Sequence, residues 1–282
     1  MKLIRFGMPG EEKPGIIKND RYYDVSSFIK DYNEQFFTDD GLTFLNEIAS
    51  DAELPEVEKD IRMGSPVARP SKIICIGLNY SDHAAESKMQ VPAEPVIFFK
   101  STTALCGPND ELNIPRNSQK TDWEVELALV ISKKASYITE FDAADHIAGY
   151  VLHNDYSERA FQIERCGQWV KGKSADSFAP LGPYLATKDE IRDIDNLRLW
   201  LKVNGKMMQD GNTKNMIFKI PFLVSYISQF MTLLPGDIIS TGTPAGVGMG
   251  QKPEPVYIKN GDIIELGIDG LGSSMQVAVD SQ

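Results

Sequence analysis

Glu124 and Glu126, in the run Trp123-Glu124-Val125-Glu126-Leu127-Ala128-Leu129-Val130-Ile131, are the residues of this 282-residue chain best placed by type and spacing to do chemistry. Extended backbone puts residues i and i+2 on one face, so the two carboxylates share a face that continues through Ala128 and Val130. Trp123, Val125, Leu127 and Leu129 form the other face. A strand apolar on both sides belongs in an interior. Two carboxylates at its inward end repel each other and lose hydration, so either their pKa values rise or a cation lies between them. A divalent ion liganded by oxygen, magnesium or manganese, meets that need. On an exposed edge near the strand's start the same pair would need nothing, and spacing alone leaves both readings open. Asp155 follows His153-Asn154 where a strand ends and a helix opens. There it either caps the helix or joins the glutamates as a third oxygen ligand.

His83 and Glu86 stand three residues apart in Asn79-Tyr80-Ser81-Asp82-His83-Ala84-Ala85-Glu86. Helical spacing brings imidazole and carboxylate together, either as a general base acting on water or as a plain surface pair. With three histidines in all (His83, His146, His153), a three-histidine metal centre has little to draw on. Gly167–Ser174 spells G-x-x-x-x-G-K-S. A phosphate-binding loop needs a buried strand before it and a helix after it. Here a charged, helix-like stretch precedes it, and Pro180 and Pro183 follow, so nucleotide binding is set aside. Gly242, Gly246, Gly248 and Gly250 lack dinucleotide spacing. They read as a backbone loop around a small ligand, or as a surface turn.

The elements that must position these groups are mostly short strands. Strands are expected at Met1–Phe6, Tyr22–Val25, Lys72–Gly77, Val96–Lys100, Trp123–Ser132, Gly149–Leu152, Asp237–Ser240, Ile263–Leu266 and Met275–Val279. Asn204-Gly205 marks a hairpin between Arg198–Val203 and Lys206–Gln209. Helical periodicity is clear at Ser157–Arg165 and Pro221–Phe230, with helical spacing of Leu42, Leu45 and Ile48 in Asp40–Ile48 and a helix-like composition at Tyr80–Lys88. The expectation is a β-rich, mixed α/β chain. Proline and glycine in Arg62–Pro70 suggest a boundary, giving a small N-terminal domain at 1–66 and a catalytic domain at 67–282. The net charge of −11 disfavours a nucleic-acid partner. No apolar run is long enough to span a bilayer, and three widely spaced cysteines make neither a zinc site nor a disulfide framework. Together these point to a reduced, cytoplasmic protein with no membrane partner.

The series GLNYSDHAAE, FFK, TDWEVELALVI, HND, KGKS and STGTPAGVGMG, in this order, resembles the fumarylacetoacetate hydrolase superfamily from about residue 70 to the end. With KLIRFG and EKPGI near the start, it is most similar to the bacterial 2,4-diketo-3-deoxy-L-rhamnonate and -fuconate hydrolases. Relatives of that subgroup are often labelled ureidoglycolate lyase or 2-hydroxyhepta-2,4-diene-1,7-dioate isomerase. The resemblance implies a mixed β-sandwich roll after a small N-terminal domain, assembled as a homodimer or higher homo-oligomer. It implies Mg²⁺ or Mn²⁺ on Glu124, Glu126 and Asp155, an active-site lysine at Lys173 rather than Lys171, and a water-activating dyad of His83 and Glu86. Asn79, Tyr80, Lys100, Arg159, Gln162 and Thr243 match substrate-contacting positions. This chain has Leu78 where many relatives carry arginine before the Asn-Tyr pair. The implied reaction is hydrolysis of the C3–C4 bond of a 2,4-diketo acid, with Glu86 taking the proton from water and pyruvate and a hydroxy acid as products. Oxaloacetate decarboxylation, dienoate isomerisation and ureidoglycolate cleavage are the alternatives on the same scaffold.

Overall fold

The computed structural model describes residues 1–86 and 91–281. Its first strands, β1 (Lys2–Phe6), β2 (Lys13–Lys18) and β3 (Arg21–Asp24), form an antiparallel meander with Leu3 opposite Ile16 and Ile17 opposite Tyr22. Asn19 and Asp20 make the second turn with φ of 51° and 59°, the positive values a tight hairpin of this hand requires. Helices α1 (Glu34–Thr38) and α2 (Gly41–Asp51) follow and bury Phe36, Phe37, Leu45 and Ile48. Asn33 caps α1 by accepting the Phe36 N–H.

The rest of the chain supplies β4 (Ile73–Gly77), α3 (Ser81–Glu86), β5 (Val96–Lys100), β6 (Leu112–Ile114), β7 (Val125–Ile131) and β8 (Ile147–Asn154). After these come α4 (Arg159–Ile163), α5 (Val170–Lys173), β9 (Leu185–Thr187) and the hairpin of β10 (Arg198–Val203) and β11 (Lys206–Asn212). Helix α6 (Ile220–Ser228), β12 (Ile238–Ser240), β13 (Ile263–Ile268) and β14 (Gly272–Asp280) complete the set. The expected Tyr80–Lys88 helix therefore begins at Ser81, and its last two residues lie outside the described ones.

Two mixed sheets result. The larger runs β3-β2-β1-β9-β8-β7-β12-β4-β5, with Glu56–Val57 beyond β3 and Met63–Gly64 alongside β1. Among the described residues only its β12–β4 pair is parallel. The smaller runs β11-β10-β13-β14-β6, with β14 and β6 parallel. Strand β7 packs against β10 and β13 of the second sheet, and β8 against β13, closing a sandwich. On β10 the alternation is plain: Leu199, Leu201 and Val203 are buried, whereas Trp200 and Lys202 are half-exposed. Every residue of β7 is buried, as its two apolar faces demand.

One expectation about the local structure is corrected. Asp155 does not open a helix. Ser157–Glu158 pairs first with Thr121–Asp122, and α4 starts at Arg159, where the Glu158 side chain accepts the Ala160 N–H. No helix among the described residues is long and apolar enough to cross a membrane.

Candidate active site

Strand register assembles the acidic cluster. β7 and β8 pair antiparallel with Val125 opposite Asn154 and Glu126 opposite His153. One step further out, the Asp155 N–H donates to the Glu124 carbonyl at 2.9 Å. Residues opposite each other, and residues two apart on one strand, share a face. Glu124, Glu126 and Asp155 must therefore converge. They are 6%, 1% and 0% exposed, and one carboxylate oxygen from each lies within 4.8 Å of the other two.

The cations around them are distributed unevenly. Lys173 donates to Glu124 Oε2 at 2.6 Å and to Asp155 Oδ2 at 2.8 Å. Lys100 donates to Asp155 Oδ1 at 2.5 Å and to the Tyr156 carbonyl at 2.9 Å. Arg159 reaches Glu124 Oε1 at 2.7 Å and Asp122 Oδ2 at 2.8 Å. Among the described residues none of these cations pairs with Glu126, which accepts Ser240 Oγ–H at 2.5 Å and the Gly242 N–H at 3.0 Å, both on Oε2. Burial works against the charged form of all three acids. Lys173 and Arg159 overcome it at Glu124, and Lys100 and Lys173 at Asp155, holding both carboxyls below their ordinary range. At Glu126 burial is joined by the charges of Asp155 and Glu124, and the carboxyl is pushed well above its usual range.

This donor set fits a divalent cation. Three carboxylates converge, one of them without a cation, and the hydrogen bonds on Glu126 leave its Oε1 side to a ligand. Behind Glu126, His153 lies 2.7 Å from Ser240 Oγ through Nδ1. The Ser240 proton is directed to Glu126, so the serine oxygen accepts from His153 Nδ1–H. Burial pushes this imidazole down to about 3, so it is neutral.

The lysine at 173 depends on the glycine before it. A Cβ at Gly172 would sit 2.5 Å from the Glu158 carbonyl and 2.6 Å from the Gln162 amide nitrogen, so only glycine lets α5 lie this close to α4. Lys171 points away and donates to the Arg165 carbonyl. The Gly167–Ser174 segment thus forms a four-residue helix whose last lysine serves the carboxylates.

His83 and Glu86 lie one helical turn apart on α3, with His83 Nδ1 3.4 Å from Glu86 Oε2. The Gly246 N–H also donates to both Glu86 oxygens at 3.1 Å. Burial would raise the Glu86 carboxyl, but His83 and this N–H outweigh it and hold the group below its ordinary value. A cavity of about 380 Å³ opens beside the cluster. Glu124, Glu126, Lys173, His83, Arg159, Gln162 and Thr243 line it, whereas Glu86 stands behind His83.

Of the other positions matched to substrate contacts, Asn79 ties two loops together. Its side chain accepts the Phe218 N–H at 2.7 Å and donates to the Thr241 and Phe218 carbonyls. Tyr80 is fully buried, its hydroxyl without a partner among the described residues, and Lys100 is committed to Asp155. None of these three lines the cavity. The Gly-rich loop borders the cavity through Thr243 and Met249, while its N–H groups serve the protein's own carboxylates. Gly242 donates to Glu126, Gly246 to Glu86 and Gly248 to Asp122. At Gly246 (φ +105°) a Cβ would fall 2.0 Å from the Met208 carbonyl, so no other residue fits.

Three contributors escape sequence reasoning. Asp122 joins Arg159 to the Gly248 and Met249 N–H groups. Ser240 holds Glu126. Gln209 accepts the Val125 N–H and donates to Thr243 Oγ1 and the Pro244 carbonyl. The one available signal was Asp122's position beside the Trp123 run.

Residues 72–278 match the model of the fumarylacetoacetate (FAA) hydrolase C-terminal family. A Burkholderia multivorans protein classed provisionally as a hydrolase is 52% identical over 278 residues, 98% of each chain. The fumarylacetoacetate hydrolase structure from Exiguobacterium antarcticum is 32% identical, with TM-score 0.85 over the whole of both chains. Maleylpyruvate hydrolase from Sphingobium sp. SYK-6, solved with manganese(II) and pyruvate, is 29% identical, with TM-score 0.83 over the whole of both chains.

Proposed function

The chain belongs to the fumarylacetoacetate hydrolase family, and from that premise we propose that it hydrolyses the C3–C4 bond of a 2,4-diketo acid, releasing pyruvate and a second carboxylic acid. Within the family the reading favours the hydrolases of 2,4-diketo-3-deoxy sugar acids, whose second product is a hydroxy acid. The observation that carries it is the buried convergence of Glu124, Glu126 and Asp155, with Glu126 lacking a cation of its own. These three residues would hold Mg²⁺ or Mn²⁺, which when bound supplies Lewis-acid polarisation of an α-oxo carboxylate.

The chain's own side chains then divide the work. Lys173, a fixed ammonium on the cavity wall, offsets negative charge growing on the departing pyruvyl end. His83 reaches the cavity and Glu86 does not, so the proton of the attacking water passes to His83 Nε2 while Glu86 fixes Nδ1–H. This reverses the roles expected from the sequence, because Glu86 held below its ordinary pKa is a poor base. The water oxygen bonds to C4, the C3–C4 pair of electrons stays on C3, and the proton held on His83 passes to that carbon to give pyruvate.

Pyruvate release from a panel of 2,4-diketo-3-deoxy sugar acids, with and without EDTA, tests this. Turnover of at least one member, abolished by EDTA, is expected; failure of every member defeats the reading. His83→Ala should lower kcat by about 10²–10⁴-fold, the range of general-base catalysis, and leave calorimetric Mn²⁺ affinity unchanged.

A further inference from the structure

The cavity is lined by a charged cluster and by apolar side chains, and we infer that its acid substrate is charged only at the α-oxo carboxylate end, with an uncharged tail lying against the apolar side chains, Leu78 among them. The inference rests on the 2,4-diketo acid reading and adds the chemistry of the tail.

The cations available are already committed. Among the described residues lining the cavity, the basic side chains are His83, Arg159 and Lys173. Lys173 lies between Glu124 and Asp155, and His83 faces Glu86. Arg159 is 5% exposed, with Nε on Asp122, Nη2 on Glu124 and Nη1 on the Gln162 side-chain oxygen. Lys252 acts on Glu86 and is not among the lining residues.

Charge bookkeeping points the same way. Four carboxylates (Asp122, Glu124, Glu126, Asp155) face three cations (Lys100, Lys173, Arg159). With a divalent cation the cluster carries one net positive charge, which a single substrate carboxylate cancels. A second carboxylate would be buried without a partner, which is heavily penalised.

Apart from the neutral Gln162 and Thr243, the remaining side chains of the wall are apolar: Ile76, Leu78, Phe98, Ile163, Trp169 and Met249. Phe98 and Trp169 meet edge to face at 5.3 Å, and Trp169 seats where a Cβ on Gly77 would come within 2.8 Å of its ring. Leu78 holds the left-handed backbone (φ +55°) that turns the chain out of β4, and it borders the cavity. Among the described residues, none of these side chains offers a charge to an anion. The site therefore selects against diacids of the same length.

Two acids that differ only at the far end provide the test: 2,4-dioxoheptanoate, with a methyl terminus, and 2,4-dioxoheptanedioate, with a carboxylate. With Mn²⁺ present, kcat/KM for the first should exceed the second by at least about 100-fold. Calorimetric binding of 2-oxohexanoate against 2-oxohexanedioate should show the same order without any turnover. Leu78→Arg, its fold checked by melting temperature, should narrow or invert both ratios. Equal or better handling of the diacids by the wild-type protein would overturn the inference while leaving the hydrolase reading intact. If neither diketo acid is cleaved, the calorimetric pair decides the tail, and the sugar-acid panel alone decides the hydrolase reading.

Discussion

Among the described residues, Glu126 differs from its two acidic neighbours in forming no ion pair with an ammonium or guanidinium, and its behaviour with pH should betray that. In the metal-free protein its carboxyl is raised above the unfolded value by burial, Asp155 and Glu124. A raised group stabilises the fold at low pH, and that contribution is lost as pH climbs through the folded pKa. A bound divalent cation requires the ionised form, so metal binding releases a proton and strengthens as pH rises. The rise in melting temperature on adding Mn²⁺ should therefore be larger at pH 8 than at pH 6. Glu126→Gln should shrink the rise at both pH values and remove most of its pH dependence, as differential scanning fluorimetry would show.

At the scale of elements, the site is a consequence of register and close approach. Gly172→Ala forces a methyl group against the Glu158 carbonyl and the Gln162 amide, both backbone atoms of α4 and its entry. Overpacking of this kind costs about 1–3 kcal/mol. Lys173 shifts with α5, so pyruvate release should fall together with the urea midpoint; a variant with wild-type values of both would show that α5 is freer than its packing suggests. The same view explains what was legible in the sequence. Glu124 and Glu126 could be paired from their spacing because a strand's period is 2 and both of its faces are apolar. Strands β4, β5, β7 and the Asn204-Gly205 hairpin follow from equally local signals. Ser240, Gln209 and the carboxylate-binding role of the glycine loop could not be read, because their partners lie 114, 84 and 116 residues away. Asp155 was misread locally as a helix opener, since the short strand pair that delays α4 is formed with the distant Thr121–Asp122.

For the molecule as a whole, one buried aspartate secures the parallel junction of the large sheet. Asp237 is fully buried at the entry to β12. It accepts the Leu234 N–H at 2.7 Å, the Lys72 N–H at 3.0 Å and the Ser71 hydroxyl at 2.5 Å, with Lys72 Nζ 2.7 Å away. Removing it strands several donors, so Asp237→Ala should destabilise the fold by about 2–5 kcal/mol in urea unfolding. A loss under 1 kcal/mol would mean the apolar pairing of β4 and β12 suffices by itself. That junction joins Ile73–Cys75 to Ile238–Ser240, so more than half the polypeptide lies in the loop it closes. Contacts so remote in sequence form slowly, after nearer ones have reduced the search. Because the hydroxyl and amide that orient Glu126 sit on β12 and just after it, the aim of this carboxylate waits on the closure of that long loop.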